Sequence, residues 1–168
     1  PGEKIFPYIS KNLDDIITVE DEELVVAFLD MVENHKMIVE NSGLLTVAAL
    51  KHLDVKNKKI VSILSGGNMD VITMSSVVQQ GLVLRDRIFS VSVLLPDKPG
   101  ELSRVADVIA KEDGNVIKLE HNQFVSINRN AAVELRITLE AYGTEHKNQI
   151  IRALKEHGYQ PKLVRASI

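Results

Sequence analysis

The stretch FSVSVLLPDKPGELSRVADVIAKEDGNVI, Phe89 to Ile117, decides the reading of this chain. Phe89 to Leu95 is a run of apolar and β-branched residues interrupted only by serines, the composition of a strand with at least one buried face. Pro96-Asp97-Lys98-Pro99-Gly100 breaks that run. Apolar residues return at Leu102, Val105, Ala106, Val108 and Ile109, a helical spacing that stops at Asp113-Gly114, where the Gly suits a left-handed C-terminal cap. The stretch therefore predicts strand, Pro/Gly loop and helix.

The first amides of a helix lack internal partners and lie at the positive end of its dipole, so the turn from Lys98 to Leu102 is suited to an anion such as a carboxylate. Gly100 lets a ligand approach the backbone. Alone, Pro99-Gly100 is ordinary turn chemistry; the order of the elements after it carries more weight. Strand-like patterns run from Asn115 to Val125 and from Ala132 to Ala141. A helical pattern covers Thr144 to His157, and a short strand covers Tyr159 to Val164. This βαββαβ order, with the Pro-Gly loop after the first strand, resembles the ACT domain, an amino-acid-binding regulatory module of ferredoxin-like α+β fold, over residues 88 to 165.

Composition sets the outer limits. With 168 residues, 45% hydrophobic and 26% charged, the chain is globular and long enough for one ordinary domain or two small ones. It contains no cysteine, which excludes disulfides, thiolate metal sites and cysteine nucleophiles. The net charge of −3 gives no global attraction to nucleic acid, and aromatic residues total 4%, too few for the base-stacking sheet of an RNA-recognition fold of the same βαββαβ order. Phe89 and Phe124 are the aromatics that the first two of these strands offer. No apolar run is long enough to span a membrane, and no signal peptide pattern opens the chain. A cytoplasmic location is the expectation. His121, His146 and His157 have no second ligand at metal-binding spacing, so no metal site is expected.

Before the quoted stretch, residues 1 to 19 read as a loop feeding a short strand at Asp15 to Val19. The acidic run Glu20 to Glu23 belongs at a helix start, where carboxylates complement the dipole. Leu24, Phe28, Met31, Val32 and His35 then form one apolar face. Ser42 is the expected N-cap of a short buried helix ending near His52. Lys59 to Leu64 reads as a buried strand running into Ser65-Gly66-Gly67-Asn68. A helix comes next over Met69 to Val83, with Val71, Ile72, Met74, Ser75 and Val78 towards a core. Gly81 to Arg87 is the expected hinge between a domain at 1 to 84 and the ACT-like domain at 85 to 168.

Strand, Ser-Gly-Gly-Asn, helix presents a hydroxyl and backbone amides at the carboxyl end of a strand. It lacks the spacing of a dinucleotide fingerprint and the Lys of a phosphate loop. Glu40-Asn41-Ser42-Gly43 before a helix, then Ile63-Leu64-Ser65-Gly66-Gly67-Asn68-Met69-Asp70, resembles the end of the catalytic domain of the pyridoxal-phosphate-dependent threonine ammonia-lyase (dehydratase) and serine racemase family, an α/β domain of PLP fold-type II. That resemblance implies that Ser65 is the hydroxyl partner of the cofactor's pyridine nitrogen. It also implies that Gly66, Gly67 and Asn68 shape the pocket wall and that Glu40 lies near the ring. A hydroxyl at that nitrogen leaves it unprotonated, a tuning of electron-sink strength that suits β-elimination.

The same resemblance implies what is missing. No lysine here has the Ser-Phe/Tyr-Lys context of the Schiff-base lysine, and the Gly-rich phosphate loop is absent; both are expected upstream of Pro1. The chain is thus expected to hold no catalytic residue, to bind no cofactor covalently and to be inactive alone, as the regulatory C-terminal part of an enzyme turning threonine into 2-oxobutanoate and ammonia. An amino-acid effector, isoleucine, valine or another, is expected between Pro96–Leu102 and the strand starting at Asn115. Amides of Gly100, Glu101 and Leu102 take its carboxylate in this reading, Asp97 its ammonium, Asn115 adds a donor and an acceptor, and Leu95 and Ile117 form an apolar wall. Pairing of ACT-like domains into a homo-oligomer is expected as well. The other reading left open is a stand-alone amino-acid-sensing or interaction module without an enzymatic parent.

Overall fold

The computed structural model describes residues 2–122 and 133–166 of the chain. Its contacts divide it into two units, Pro1–Met74 and Ser75–Ile168. The division falls inside a helix, α4 (Val71–Leu84), rather than in the polar turn at the end of that helix.

The first unit contains α1 (Phe6–Asn12), α2 (Asp21–Asp30) and α3 (Asn41–Ala48), with a π-helical turn at Met31–His35 and a 3-10 turn at Ala49–His52. α2 starts where its acidic run predicts. The carboxylate of Glu23 accepts the Glu20 amide at 2.7 Å, meets the His52 imidazole at 3.0 Å and pairs with Lys51, which ties the start of α2 to the 3-10 turn. Leu24, Val25, Ala27, Phe28, Leu29 and Met31 are buried with Val39, Leu44 and Ala48. His35, expected on that apolar face, is exposed. The π turn ends on Lys36 in the left-handed region (φ 58°).

Two expected strands are absent from this unit. Asp15 to Val19 and Lys59 to Leu64 carry no ladder, and Val61 and Ile63 are 89% and 70% exposed. The apolar pattern is that of a segment suited to burial, but a strand exists only beside a neighbour, and none of the described residues of this unit supplies one. Helix α4 begins at Val71, and Val71 and Ile72 are 78% and 84% exposed; Val77 and Gly81 are its buried residues.

The second unit is a two-layer sandwich. Strands β1 (Ile88–Leu95), β2 (Asn115–Asn122), β3 (Val133–Glu140) and β4 (Lys162–Val164) make one antiparallel-paired sheet in the order β2-β3-β1-β4, with helices α5 (Glu101–Lys111) and α6 (Thr144–Glu156). This is the βαββαβ, ferredoxin-like arrangement the sequence predicts; β4 is shorter than expected, and residues 123–125 of the second strand, Phe124 among them, and Ala132 lie outside the described residues. Alternate residues Phe89, Val91, Val93 and Leu95 join Leu135, Ile137 and Leu139 on one side of the sheet. They close against Val105, Val108 and Ile109 of α5 and Ile150, Ala153 and Leu154 of α6. The intervening positions carry a polar ladder. Ser90 and Thr138 share a buried hydroxyl bond of 2.8 Å, and Ser92 donates to Glu134.

The end of α5 divides between two residues the work expected of one glycine. Asp113 takes the left-handed conformation (φ 57°), and Gly114 donates to Ile109 O at 3.0 Å, the six-to-one bond of a Schellman cap. Gly114 is needed for a different reason: a Cβ there would stand 2.8 Å from Ile109 Cγ2 and 3.0 Å from Ile150 Cδ1. The turn after α4, expected as a hinge, is fastened to α6. Asp86 accepts Lys147 Nζ at 2.6 Å and Thr144 Oγ1 at 2.9 Å, while Arg87 O accepts the Ala141 amide at 2.8 Å. Among the described residues no helix is long and apolar enough to cross a membrane.

Candidate functional site

Two loci, one in each unit, carry most of the expected site residues. In the first, the structure brings together Glu40, Gly66 and Asn68, which are far apart in sequence. The Glu40 amide donates to Gly66 O at 3.1 Å, and Glu40 Oε2 accepts the Asn68 amide at 3.1 Å. Glu40 Oε1 accepts the Ser42 hydroxyl at 2.7 Å. Ser42 is therefore not the N-cap of α3; Glu40 occupies that position, with extended backbone (φ −68°, ψ 161°), and Ser42 sits in the first turn.

Close packing explains the small residues around this loop. A Cβ on Gly66 would lie 2.5 Å from Glu40 Oε1, and one on Gly67 would lie 3.1 Å from Ile38 O. A Cβ on Gly43 would lie 3.0 Å from Gly66 O and 2.8 Å from a methyl of Val39. The first turn of α3 thus lies directly on the Gly66 peptide, and Gly43 is a contributor that sequence reasoning did not single out. The signal for it was the Ser-Gly pair inside a helix start, where Gly costs helix propensity and so needs a packing reason. Ser65 is exposed, and its hydroxyl has no hydrogen-bond partner among the described residues. An exposed hydroxyl on a loop whose path is tied to Glu40 is a donor and acceptor of the kind a pyridine nitrogen needs, so Ser65 fits pyridoxal phosphate on the side of its ring nitrogen.

The second locus is the Pro96–Gly100 loop with the start of α5. Gly100 is the N-cap in the left-handed region (φ 90°, ψ −13°), and a Cβ there would meet nothing within 4 Å, so its requirement is conformational and its surroundings are open. The Glu101 amide makes a long 3.4 Å bond to Lys98 O. Asp97, Gly100 and Leu102 are exposed, and Glu101 pairs with Arg104 at 2.8 Å. Beside the loop lies a shallow cavity lined by Leu94, Pro96, Glu101, Arg104, Val108 and Tyr159 among others. It shares only Glu101 with the expected effector set. Leu95 is 3% exposed and belongs to the core, whereas Leu94, 58% exposed, faces the cavity.

Asn115 and Ile117 lie elsewhere. The register aligns Asn115 with Glu140 and Glu140 with Ile88, while Leu95 is opposite Val133. The start of β2 and the loop after β1 therefore stand at opposite ends of the sheet within one chain. Asn115 donates its side-chain amide to Glu140 Oε2 at 3.1 Å, and Ile117 sits at a β-bulge between the pairs Val116–Leu139 and Lys118–Thr138. Both are on an edge strand whose Val116, Ile117 and Leu119 are 37%, 47% and 40% exposed.

A third cluster, at the Asn115 end, carries no expected site residue. His146 Nδ1 accepts the Tyr142 amide at 3.1 Å, and its Nε2 meets Glu112 O at 2.5 Å. Tyr142 stacks on the ring at 4.7 Å. This assigns His146 to closing the end of α5. Among the described residues no group of three or more potential ligands is placed to hold a metal ion.

Comparison with known proteins adds to this geometry. No family model matches the chain. It is 37% identical to the L-threonine ammonia-lyase of Geobacter sulfurreducens over 95% of its length, and 32% identical to that of Thermotoga maritima over 98%. A biosynthetic L-threonine dehydratase of Pasteurella multocida is 25% identical over 94% of the chain. The chain spans 40%, 41% and 30% of the length of these three relatives. Among solved structures, the ACT domain of prephenate dehydrogenase from Bacillus anthracis matches at 25% identity and a TM-score of 0.35, covering 44% of this chain and 99% of that one.

Proposed function

We propose that this chain, homologous to L-threonine ammonia-lyases over 95% of its length, serves as the part of such an enzyme that carries one wall of the cofactor pocket and the regulatory domain. The observation that carries this reading is the continuity of the match: a single relative is similar through both units, which a stand-alone sensor joined to an unrelated helical partner does not require. The exposed apolar residues of the first unit, Ile16, Val61, Ile63, Val71 and Ile72 among them, then face the remainder of the enzyme.

Bound in the intact enzyme, pyridoxal phosphate supplies the electron sink for elimination of water from threonine. This chain's own part is to orient and tune. Ser65 presents its hydroxyl to the ring nitrogen and withholds the positive charge that a carboxylate partner would induce there. Gly66 and Gly67 let the loop that carries Ser65 pack against the Glu40 carboxylate and Ile38 O. Neither Ser65 nor any lysine of the chain forms the covalent link. The chain incubated with pyridoxal phosphate and reduced with borohydride is expected to carry no phosphopyridoxyl-lysine, while the longer enzyme carries one, outside these residues, and deaminates threonine. A stoichiometric adduct on the isolated chain refutes the proposal.

The second unit is read as the effector-binding domain, with an amino acid at the Pro96–Leu102 loop. Because Asn115 lies at the far end of the same sheet, the expected site is complete only across two copies. Antiparallel pairing of β2 with the β2 of a second copy brings the second Asn115 to the loop's end of the joined sheet and covers the exposed edge apolars. Titration of isoleucine, valine, threonine and serine into the chain is expected to show saturable binding of at least one of them. Asp97→Ala and Asn115→Ala are each expected to weaken it roughly tenfold, the loss expected for one charge-assisted hydrogen bond. Binding that survives in a monomeric variant with Ile117→Lys and Leu119→Lys places the whole site within one copy instead.

A further inference from the structure

We infer that Glu40 is the positioning residue for Ser65: its carboxylate sets the path of residues 65–68, and Gly66 is required because that carboxylate occupies the place of a Cβ. The inference rests on the reading of Ser65 as the cofactor's hydroxyl partner and goes beyond it by assigning Glu40 a role other than contact with the ring.

Four observations converge on this role. Glu40 holds the loop from both its backbone and its side chain, through its amide to Gly66 O and through Oε2 from the Asn68 amide. These two bonds anchor the loop at Gly66 and at Asn68, immediately after Ser65. The second carboxylate oxygen is held by Ser42 Oγ at 2.7 Å, so the group is fixed at both ends. A Cβ at Gly66 would stand 2.5 Å from Oε1 and 2.8 Å from the carboxyl carbon. The Gly66 peptide is also closed by the first turn of α3, where even a Cβ on Gly43 would crowd it at 3.0 Å. The loop is thus gripped between a helix turn and a carboxylate, and the carboxylate is the movable half of the grip.

An alanine at Gly66 meets the far end of a flexible side chain, so the backbone need not move; Glu40 swings away and releases both Asn68 and Ser42. The damage of Gly66→Ala therefore passes through Glu40, and removing the carboxylate first removes most of that damage. Glu40→Gln keeps one carbonyl acceptor and the size of the group, so it retains the Asn68 bond with an uncharged partner.

The test has one arm on this chain and one on the intact enzyme with pyridoxal phosphate. In the chain, Glu40→Ala and Gly66→Ala are each expected to speed amide exchange at Asn68 roughly tenfold, Glu40→Gln clearly less, and the pair Glu40→Ala with Gly66→Ala no more than either alone. In the enzyme, Glu40→Ala is expected to move the cofactor absorption band in the same direction as Ser65→Ala, and to add nothing to it in the double variant. Unchanged Asn68 exchange in Glu40→Ala, or additive band shifts in the double variant, overturns the role of Glu40 while leaving Ser65 in place. A band unmoved by Ser65→Ala overturns the cofactor reading itself, and with it the role of Glu40 towards the cofactor.

Discussion

Replacing Gly114 by alanine tests how α5 and α6 meet at the end of the sandwich. The added methyl would stand 2.8 Å from Ile109 Cγ2, 3.0 Å from Ile150 Cδ1 and 3.2 Å from Ile109 O. Both isoleucines are at most 1% exposed, so neither has solvent to retreat into. Ordinary carbon–carbon contact needs roughly 0.5–1 Å more, and forcing an extra methyl into a packed core costs about 1–3 kcal/mol. Since Gly114 is not in the left-handed region, none of this is backbone strain. Asp113 is the left-handed residue, and Asp113→Gly should be neutral or stabilising by about 0.5–1 kcal/mol. Ile109→Leu removes the nearest methyl at nearly constant volume, at a cost below about 1.5 kcal/mol. It should therefore recover part of the Gly114→Ala penalty, with a coupling of about 0.5–1 kcal/mol or more. Urea-dependent amide exchange at Leu135, Ile137 and Leu139 reads the second unit separately from the first. A neutral Gly114→Ala, strictly additive costs with Ile109→Leu, or a destabilising Asp113→Gly would refute the assignment of Gly114 to packing and Asp113 to the turn.

Three further outcomes rest on the same geometry. Gly100→Ala should destabilise the second unit by about 1–2 kcal/mol through its positive φ alone, measured by the same exchange experiment, because open space surrounds the new methyl. Asp86 lies below the usual aspartate range; burial pushes it up, but the bonds from Lys147 and Thr144 outweigh that, so Asp86→Asn should cost about 1–2 kcal/mol and should free the amide of Ala141 to exchange sooner. Glu23 is held down to about 2, first by Lys51, then by the Glu20 amide and His52, against a small opposing desolvation. Its folded value is depressed, so its contribution is complete above the ordinary value of 4.5 and is lost as pH falls through about 2; acid titration of exchange in α2 should show that window, and Lys51→Met should move its lower edge upward.

The two units are unequally legible in the sequence, and the reason is how far each depends on contacts beyond itself. β1, α5, β3 and α6 follow from local period and punctuation because each finds its partners within the second unit itself. In the first unit, α2 is equally clear, since an acidic start and an apolar face are properties of the helix alone. Lys59 to Leu64 has the composition of a buried strand yet carries no ladder, and Val71 and Ile72 have the spacing of a core face yet are exposed. A sequence pattern records the burial a segment is suited to; whether the burial occurs depends on residues that need not be near it. These differences all lie in the unit that, on the proposed reading, has further chain to pack against.

The sites show the same division between what is local and what is not. Ser65 to Asn68 and the Pro96–Gly100 loop can be found as motifs, because strand-like residues, small residues and helix succeed one another directly. The bonds from Glu40 to Gly66 and Asn68 join segments well separated along the chain and could be suggested only by resemblance; no period or cap encodes them. The placement of Asn115 at the Ile88 end is implicit in the predicted topology, since a strand, a helix and a parallel strand must bring the second strand back to the end at which the first began. From β1 to β2 that return puts the end of β1 and the start of β2 at opposite ends of the sheet, whatever the side chains. An effector held by the loop and by Asn115 together is then a demand for two chains, and on the proposed reading the second one pairs along the exposed, bulged β2 edge.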